Sequence, residues 1–437
     1  MMTEEKSKER AVAVVSEPLP DTEELPQGGA MKVVRGWRDR LGRLLEKNRN
    51  DSQERLQALL TAALTDNAAN QEMDKWLLSY EQGDQNKRLT MLSELALARR
   101  EQVLSGQQGA LFFRRLYARA DSLHPLVRLR ADILAAMKER PELQELDKEL
   151  KPLLISWFDV GMLQLRPITW DSPASLLEKL IEYEAVHEIN SWSELKHRLT
   201  GTRRCYAYFH PRMADIPLIF VEIALTQNMA DSVQHLLDPE GSDTDLSKAR
   251  CANFYSISNT QAGLRGISFG NFLLKRVIDA LMKDYPQLKT FVTLSPIPGF
   301  TRWLEKQDGD SLQEYLTDKT EKRLAAGDPD SGRKWLIRIS TAVQERNEAI
   351  ERIALRFASA YLMSMRNDQL VDSVARFHLG NGARIERLNW AADCSPKGMQ
   401  QSCGMMVNYL YELDQLDANM QALAAGKPKS RLTSRWL

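Results

Sequence analysis

The residues of this 437-residue chain that are best suited to chemistry lie in a loop between a predicted strand and a predicted helix. The strand is predicted over Phe254–Ser258, and the loop contains Arg265-Gly266-Ile267-Ser268-Phe269-Gly270, followed by Asn271. Gly266 and Gly270 leave room for a ligand to approach the backbone. Because the free N–H groups at a helix N-terminus bind phosphate groups, the loop predicts a pyrophosphate site. Taken alone, the glycine pattern also fits a loop that binds nothing.

Ser295 and His378 are the side chains most suited to act on a ligand held there. The predicted helix 269–284 must end before Pro286, and a second apolar strand, Phe291–Leu294, places Ser295 at its end. His378 follows a strand-like run and precedes a glycine-containing turn, so we expect its ring at a strand end. Histidine has an ordinary pKa of about 6.5 and is a natural general acid at neutral pH.

Composition excludes several classes of function. Lys plus Arg and Asp plus Glu are both 59, so no basic excess indicates nucleic acid. The chain has no apolar run of about eighteen residues, so no membrane span is expected. The four cysteines are widely spaced and lack a CxxC motif, which indicates reduced thiols and neither a disulfide framework nor a metal site. A redox role for Cys394 and Cys403 stays open. The N-terminus has no signal or transit pattern, which predicts a cytoplasmic protein.

The pattern along the chain predicts an α+β multidomain protein, because the chain is too long for one ordinary core. Residues 1–30 are acidic and proline-containing, which predicts a disordered tail. An all-α helical bundle is predicted over 31–160 and an α/β domain with a mixed sheet over 161–425, with a helical insertion at 305–370 and a tail at 426–437. Helices are predicted at 173–185, 269–284 and 402–423, and the strands are Arg204–Phe209, Leu218–Leu225, Phe254–Ser258, Phe291–Leu294 and Arg384–Asn389.

Longer strings of sequence carry a resemblance to known families. The Arg265–Gly270 loop is similar to the acyl-CoA loop of GNAT-type acyltransferases, although Ser268 stands where that loop usually has glycine. Four strings resemble the malonyl-CoA decarboxylase family: FYSISNTQAGLRGISFGNFLLKRV, TLSPIPGFTRWL, ARFHLGNGARIERLNWAADCSPKGMQQSCGMMVNYLYE and RRCYAYFHP. The resemblance covers about residues 160–415 and, more loosely, the helical segment before them.

The resemblance implies a GNAT-like catalytic domain that converts malonyl-CoA to acetyl-CoA and CO2 through a thioester enolate. It implies that no cofactor is needed, because the thioester is itself an electron sink. Ser295 and His378 match the family's catalytic residues, His378 delivering a proton to C2 and Ser295 orienting the substrate. The malonyl-CoA site would comprise both of them and the loop residues Arg265, Gly266, Ile267, Ser268, Phe269, Gly270 and Asn271. Family members often have an acid at the position of Ser268, which leaves its role open.

Asn389 and Tyr411 are secondary candidates. A structural hydrogen bond is the alternative explanation for each of these polar side chains. The family further implies a homotetramer formed through the helical domain. Two alternative functions remain open at this stage: a GNAT-type acyl-CoA-dependent acyltransferase, and a non-catalytic CoA-binding protein. The former would need a base and a pocket for an acceptor, and the latter would not need an intact serine–histidine pair.

Overall fold

The computed structural model describes residues 53–101, 106–238, 245–267, 273–316, 331–345 and 347–432, without the side chains of residues 101 and 106–109. The tail predicted over residues 1–30 lies outside this part of the chain. Two compact units are present, Met1–Ala58 and Leu59–Leu437. The described residues of the first unit, 53–58, are helical. All elements from α2 onward belong to the second unit.

Six helices form in the described residues before residue 158. Asp66 begins α2 by accepting a hydrogen bond from a first-turn N–H at 2.9 Å. Pro125 occupies the first turn of α5, where no backbone donor is needed. Buried leucines at helical spacing, such as Leu146 and Leu150 of α6, form the core between the helices. The bounds are α1 (residues 53–61), α2 (Asn67–Gln82), α3 (Gln85–Glu101), α4 (Gly106–Arg119), α5 (His124–Ala136) and α6 (Leu143–Trp157).

A mixed sheet follows the helices. Its strand order is β1-β2-β3-β4-β5-β10-β6, with β9 paired to β10. The β1–β4 pairs are antiparallel, whereas β4 and β5 are parallel. The bounds are β1 (Gln164–Ile168), β2 (Arg203–Phe209), β3 (Ile219–Thr226), β4 (Cys251–Asn259), β5 (Thr290–Thr293), β6 (Ser295–Pro296), β7 (Met365–Arg366), β8 (Gln369–Leu370), β9 (Arg384–Asn389) and β10 (Met406–Leu410). The predicted order of a helical bundle followed by an α/β domain with a mixed sheet is confirmed.

The sheet opens between β4 on one side and β5 and β6 on the other. Parallel pairing runs from Cys251 opposite Thr290 to Phe254 opposite Thr293 and then ends. β4 continues to Asn259, paired only with β3 among the described residues. On the other side, β10 pairs with both β5 and β6. Ser295 therefore begins β6 at the point where the two halves of the sheet part.

The remaining helices cover the faces of the sheet and form the segment between β6 and β9. The bounds are α7 (Ala174–Tyr183), α8 (Trp192–Leu199), α9 (Val233–Leu237), α10 (Leu273–Asp284), α11 (Phe300–Glu305), α12 (Gly309–Gln313), α13 (Ser331–Glu345), α14 (Glu348–Met363), α15 (Ser373–Gly380), α16 (Pro396–Ser402) and α17 (Leu416–Ala424). None of the helices in the described part of the chain has the length and hydropathy that a bilayer-spanning segment requires.

The predicted helix over 402–423 is wrong. Helix α16 ends at Ser402 because Cys403 and Gly404 both have left-handed backbone angles, φ 50° and 78°. Strand β10 follows, and only the end of the predicted range, from Leu416, is helical. The residue pair in the left-handed region reverses the chain and allows β10 to enter the sheet.

Candidate active site

Three side chains form a hydrogen-bonded chain at the opening of the sheet. The Oγ atom of Ser295 lies 3.1 Å from Nε2 of His378, and Nδ1 of the same ring lies 2.8 Å from the hydroxyl oxygen of Tyr411. Ser295 and His378 are 6% and 3% exposed, and Tyr411 is also buried. The structure therefore brings together the two main candidates and one of the two secondary candidates.

His378 lies on a helix, so the prediction that it ends a strand is wrong. The Asp372 carboxylate begins α15 by accepting hydrogen bonds from the backbone N–H groups of Val374 and Ala375, at 3.0 and 2.8 Å. The hydroxyl of Tyr361 donates to the same carboxylate at 3.1 Å. His378 occupies the last turn of α15. Its position thus depends on a buried cap at the other end of this short helix.

Two further residues of the site were missed by sequence reasoning. Thr293 accepts a hydrogen bond from the Ser295 hydroxyl at 2.8 Å through its Oγ1 atom, which also accepts one from the Tyr409 N–H at 3.2 Å. The ring of Tyr409 stacks on the His378 ring, with centroids 4.5 Å apart. Thr293 is two residues before Ser295 and Tyr409 two before Tyr411, a spacing that places each pair on one side of a strand.

The second secondary candidate, Asn389, lies one step further from the pocket. Its side-chain amide donates to the Asn408 side-chain oxygen at 2.8 Å. Asn408 in turn donates to the backbone oxygen of Thr293 at 2.7 Å. This contact pattern gives Asn389 a supporting position behind the end of β5.

A pocket of about 250 Å³ opens onto Ser295 and His378. Its walls are mostly apolar, with Asn259 and Ser373 as further polar groups at the lining. The lining residues are Val186, Phe254, Tyr255, Ile257, Asn259, Ser295, Pro296, Ser373, Val374, Phe377 and His378. The apolar walls come from both sides of the opening in the sheet, so a ligand arm lying in that opening would end at the serine–histidine pair.

Burial controls the ionisation of the site. It lowers the pKa of His378 to about 3 and raises the pKa of Tyr411 well above its ordinary value. The ring is therefore neutral at neutral pH and the phenol is protonated. The pKa of His378 lies below the ordinary value of histidine because the pocket withdraws the ring from water.

The proposed phosphate loop begins beyond β4. Arg265 and Gly266 are exposed and Ile267 is buried, whereas Ser268, Phe269, Gly270 and Asn271 lie outside the described residues. Gly266 has a φ of 74°, in the left-handed region that glycine adopts without strain. Among the described residues, the nearest atom to an added Cβ would be Nζ of Lys151, at 3.9 Å, so this side of Gly266 is not packed against them.

Replacing Gly266 with valine is expected to weaken acyl-CoA binding about tenfold or more, because a β-branched residue is strained at positive φ and blocks approach to the backbone. Isothermal titration with CoA measures the effect. Gly426→Val is the matched control, since Gly426 has a φ of 72° and open space around it. Unchanged affinity in Gly266→Val, or an equal loss in both variants, would remove this loop from the binding site.

Known protein families match both the helical segment and the sheet domain of this chain. Residues 161–429 match the family model of the malonyl-CoA decarboxylase C-terminal domain, and residues 67–158 match that of the N-terminal domain. Mitochondrial malonyl-CoA decarboxylase of Anser anser anser is 37% identical over 69% of this chain and 63% of its own length. The Rattus norvegicus protein of the same name is 39% identical over 67% and 63%. The matched part of the chain thus spans less than two thirds of these relatives.

Solved structures show the same likeness. The crystal structure of malonyl-CoA decarboxylase from Cupriavidus metallidurans has 45% sequence identity and a TM-score of 0.80, covering 90% of this chain and 100% of that one. The enzyme structure from Rhodopseudomonas palustris has 35% identity and a TM-score of 0.70, covering 88% and 99%. The two family models together account for both the helical segment and the sheet. This chain belongs to the malonyl-CoA decarboxylase family.

Proposed function

We propose that this protein decarboxylates malonyl-CoA to acetyl-CoA and CO2. The observation that carries the proposal is the buried Ser295–His378 pair at the end of an apolar pocket, where β4 parts from β5 and β6. The thioester arm lies in the opening, where the free edge of β4 offers backbone hydrogen bonds to an extended amide chain. The malonyl group then reaches Ser295 and His378.

Loss of CO2 breaks the bond between C2 and the carboxyl carbon, and the electron pair spreads onto the thioester oxygen. An apolar pocket favours this step, because a localised carboxylate gives way to a delocalised enolate and neutral CO2. When substrate is bound, the Ser295 hydroxyl turns from Thr293 and donates to the thioester oxygen, where negative charge accumulates. One such donor typically contributes a factor of about 10²–10³ in rate.

His378 supplies the proton that the reaction consumes. With a pKa of about 3, the ring is neutral before substrate arrives. The substrate carboxylate stabilises the imidazolium, so a proton is taken up together with malonyl-CoA. When CO2 leaves, that stabilisation disappears and the ring gives its Nε2 proton to C2. The charges balance. The negative charge of the carboxylate passes to the enolate when CO2 leaves, and the proton of the imidazolium then neutralises the enolate.

Tyr411 keeps the ring in place through both states. Before substrate binds, the tyrosine hydroxyl donates to Nδ1, and Nε2 carries the hydrogen that faces Ser295. When the ring is protonated, Nδ1 donates and the hydroxyl oxygen accepts. After Nε2 has given its proton to C2, the neutral ring carries its hydrogen on Nδ1 and donates it to the tyrosine oxygen, so the hydrogen returns to Nε2 before the next turnover. Because the Tyr411 hydroxyl can act in either sense at 2.8 Å, it orients the ring without fixing its charge.

Incubation of the purified protein with malonyl-CoA alone tests the function. Acetyl-CoA and CO2 should form in equal amounts without any acceptor. Transfer of the malonyl group only when an amine or alcohol is added would instead indicate an acyltransferase. Binding without any product would indicate a CoA-binding protein.

The assembly and the cellular location belong to the same proposal. The helical segment mediates homo-oligomer formation, as a tetramer, which the exposed apolar side chains of Leu78 and Leu97 support. The protein acts in the cytoplasm. Its four free cysteines support this, because thiols stay reduced in that compartment. The division predicted from the sequence, an oligomerisation part over 31–160 and a catalytic part over 161–425, belongs to this proposal. Light scattering of the native protein measures the subunit number.

A further inference from the structure

Helix α5 packs directly against the turn after β4, residues 262–264, which leads into the loop proposed to hold the CoA phosphates. Gly263, in the turn after β4, lies so close to α5 that an added Cβ atom would overlap the Val127 carbonyl oxygen. Only glycine allows the loop backbone to approach the helix this closely. The loop is therefore built against the helical segment and does not stand free.

Arg130 of α5 fixes the loop backbone in this position. Its guanidinium is 2% exposed and donates to the carbonyl oxygens of Gly263 and Arg265, at 2.6 and 2.9 Å. Its Nε atom pairs with the Asp147 carboxylate of α6 at 2.7 Å. A buried arginine with this many partners holds its neighbours rigidly. The distance between α6 and the loop is thereby set by side chains that bridge them.

Lys151 lies one turn after Asp147 on α6 and points its ammonium group towards the loop. Its Nζ atom would be 3.9 Å from a Cβ atom built on Gly266. Within the described residues, no carboxylate forms an ion pair with it, whereas Lys148 on the same helix pairs with Glu145 at 2.6 Å. A half-buried cation without an acidic partner thus lies beside the open backbone of Gly266.

We propose that Lys151 binds the pyrophosphate of the acyl-CoA substrate. This inference rests on the proposed function, because it places the pyrophosphate beside the backbone of Gly266. The diphosphate carries two negative charges, and an ammonium group beside it forms charge-assisted hydrogen bonds that the loop amides alone do not supply. The helical segment thereby contributes a substrate-binding residue to a site that otherwise belongs to the sheet domain.

Kinetics with two substrates test this assignment. Lys151→Gln should raise the KM for malonyl-CoA about ten- to hundredfold and leave kcat unchanged. With malonyl-pantetheine, which lacks the phosphates, wild type and variant should have the same KM. Lys148→Gln is the matched control and should behave as wild type with both substrates. Added salt should reduce the difference between Lys151→Gln and wild type.

An unchanged KM for malonyl-CoA in Lys151→Gln would overturn the assignment. So would an equal rise in KM with both substrates, because that would indicate general damage to the site. If the wild type converts neither substrate, the proposed function itself fails. Calorimetric titration with CoA and with pantetheine then decides the role of Lys151 independently, since only CoA affinity should fall in the variant.

Discussion

Replacing His378 with asparagine is expected to lower turnover of malonyl-CoA at least about a hundredfold, because a positioned acid contributes about 10²–10⁴ in rate. Asparagine can still accept the hydrogen bond from Tyr411, but it cannot donate a proton to C2. CoA affinity should stay near the wild-type value, since the phosphate loop is untouched. Steady-state kinetics and titration with CoA measure the two quantities.

His210 provides the matched control for this change. It is 3% exposed, and its two ring nitrogens bond the backbone oxygen of Trp157 and the backbone N–H of Arg212, at 3.1 and 3.0 Å. His210→Asn should therefore reduce stability and leave turnover unaffected in the folded protein. If His378→Asn retains wild-type turnover, His378 does not protonate the substrate.

The low pKa of His378 also fixes a dependence on pH. The free ring, with a pKa of about 3, must take up a proton when the substrate carboxylate binds. Affinity for a malonyl-CoA mimic that keeps the carboxylate should therefore fall as the pH rises from 6 to 8, by at most about tenfold per pH unit. Acetyl-CoA affinity should not follow this trend. Equal pH profiles for the two ligands would contradict proton uptake by the ring.

Replacing Ser295 with alanine is expected to lower turnover about 10²–10³-fold, because the hydroxyl no longer donates to the developing oxyanion. The cost in stability should be small, about 1 kcal/mol, since Thr293 keeps its hydrogen bond from the Tyr409 N–H. Turnover and thermal unfolding of the variant are the measurements.

Ser402 gives the comparison for Ser295. Its buried hydroxyl donates to the backbone oxygens of Met405 and Gly398, at 2.6 and 3.2 Å, and it lies outside the pocket lining. Ser402→Ala should therefore lower stability without changing turnover. A large loss of stability with little loss of turnover in Ser295→Ala would show that Ser295 is a structural residue.

Strands β4 and β5 beside the site could be predicted from the sequence, whereas strand β10 and the hydrogen-bonded partners of Ser295 could not. Apolar β-branched runs bounded by turns are a local signal, and they predicted a strand just before Ser295, which lies two residues after the end of β5 and begins β6. The contact between His378 and Ser295 joins residues 83 positions apart. Only the packing of α15 on the sheet brings them together, and no local pattern records it.

Both errors at the site have a local cause. Val374 to Phe377 resembled a strand because it is short and apolar, but the Asp372 cap makes the segment helical. The range after Ser402 resembled a helix because Met and Leu recur in it, but two left-handed residues end α16 and open β10. The same-face spacing of Thr293 with Ser295, and of Tyr409 with Tyr411, was a usable signal once both segments were assigned as strands.

Decarboxylation in heavy water tests the central claim most directly. If C2 is protonated by His378 after CO2 departs, wild-type protein in D2O should release CO2 and give acetyl-CoA with one deuterium in the methyl group. Acetyl-CoA incubated with the protein in D2O for the same time should gain no deuterium. This control excludes exchange into the methyl group after the reaction. Absence of CO2, or acetyl-CoA without deuterium, would contradict an enolate protonated in this pocket.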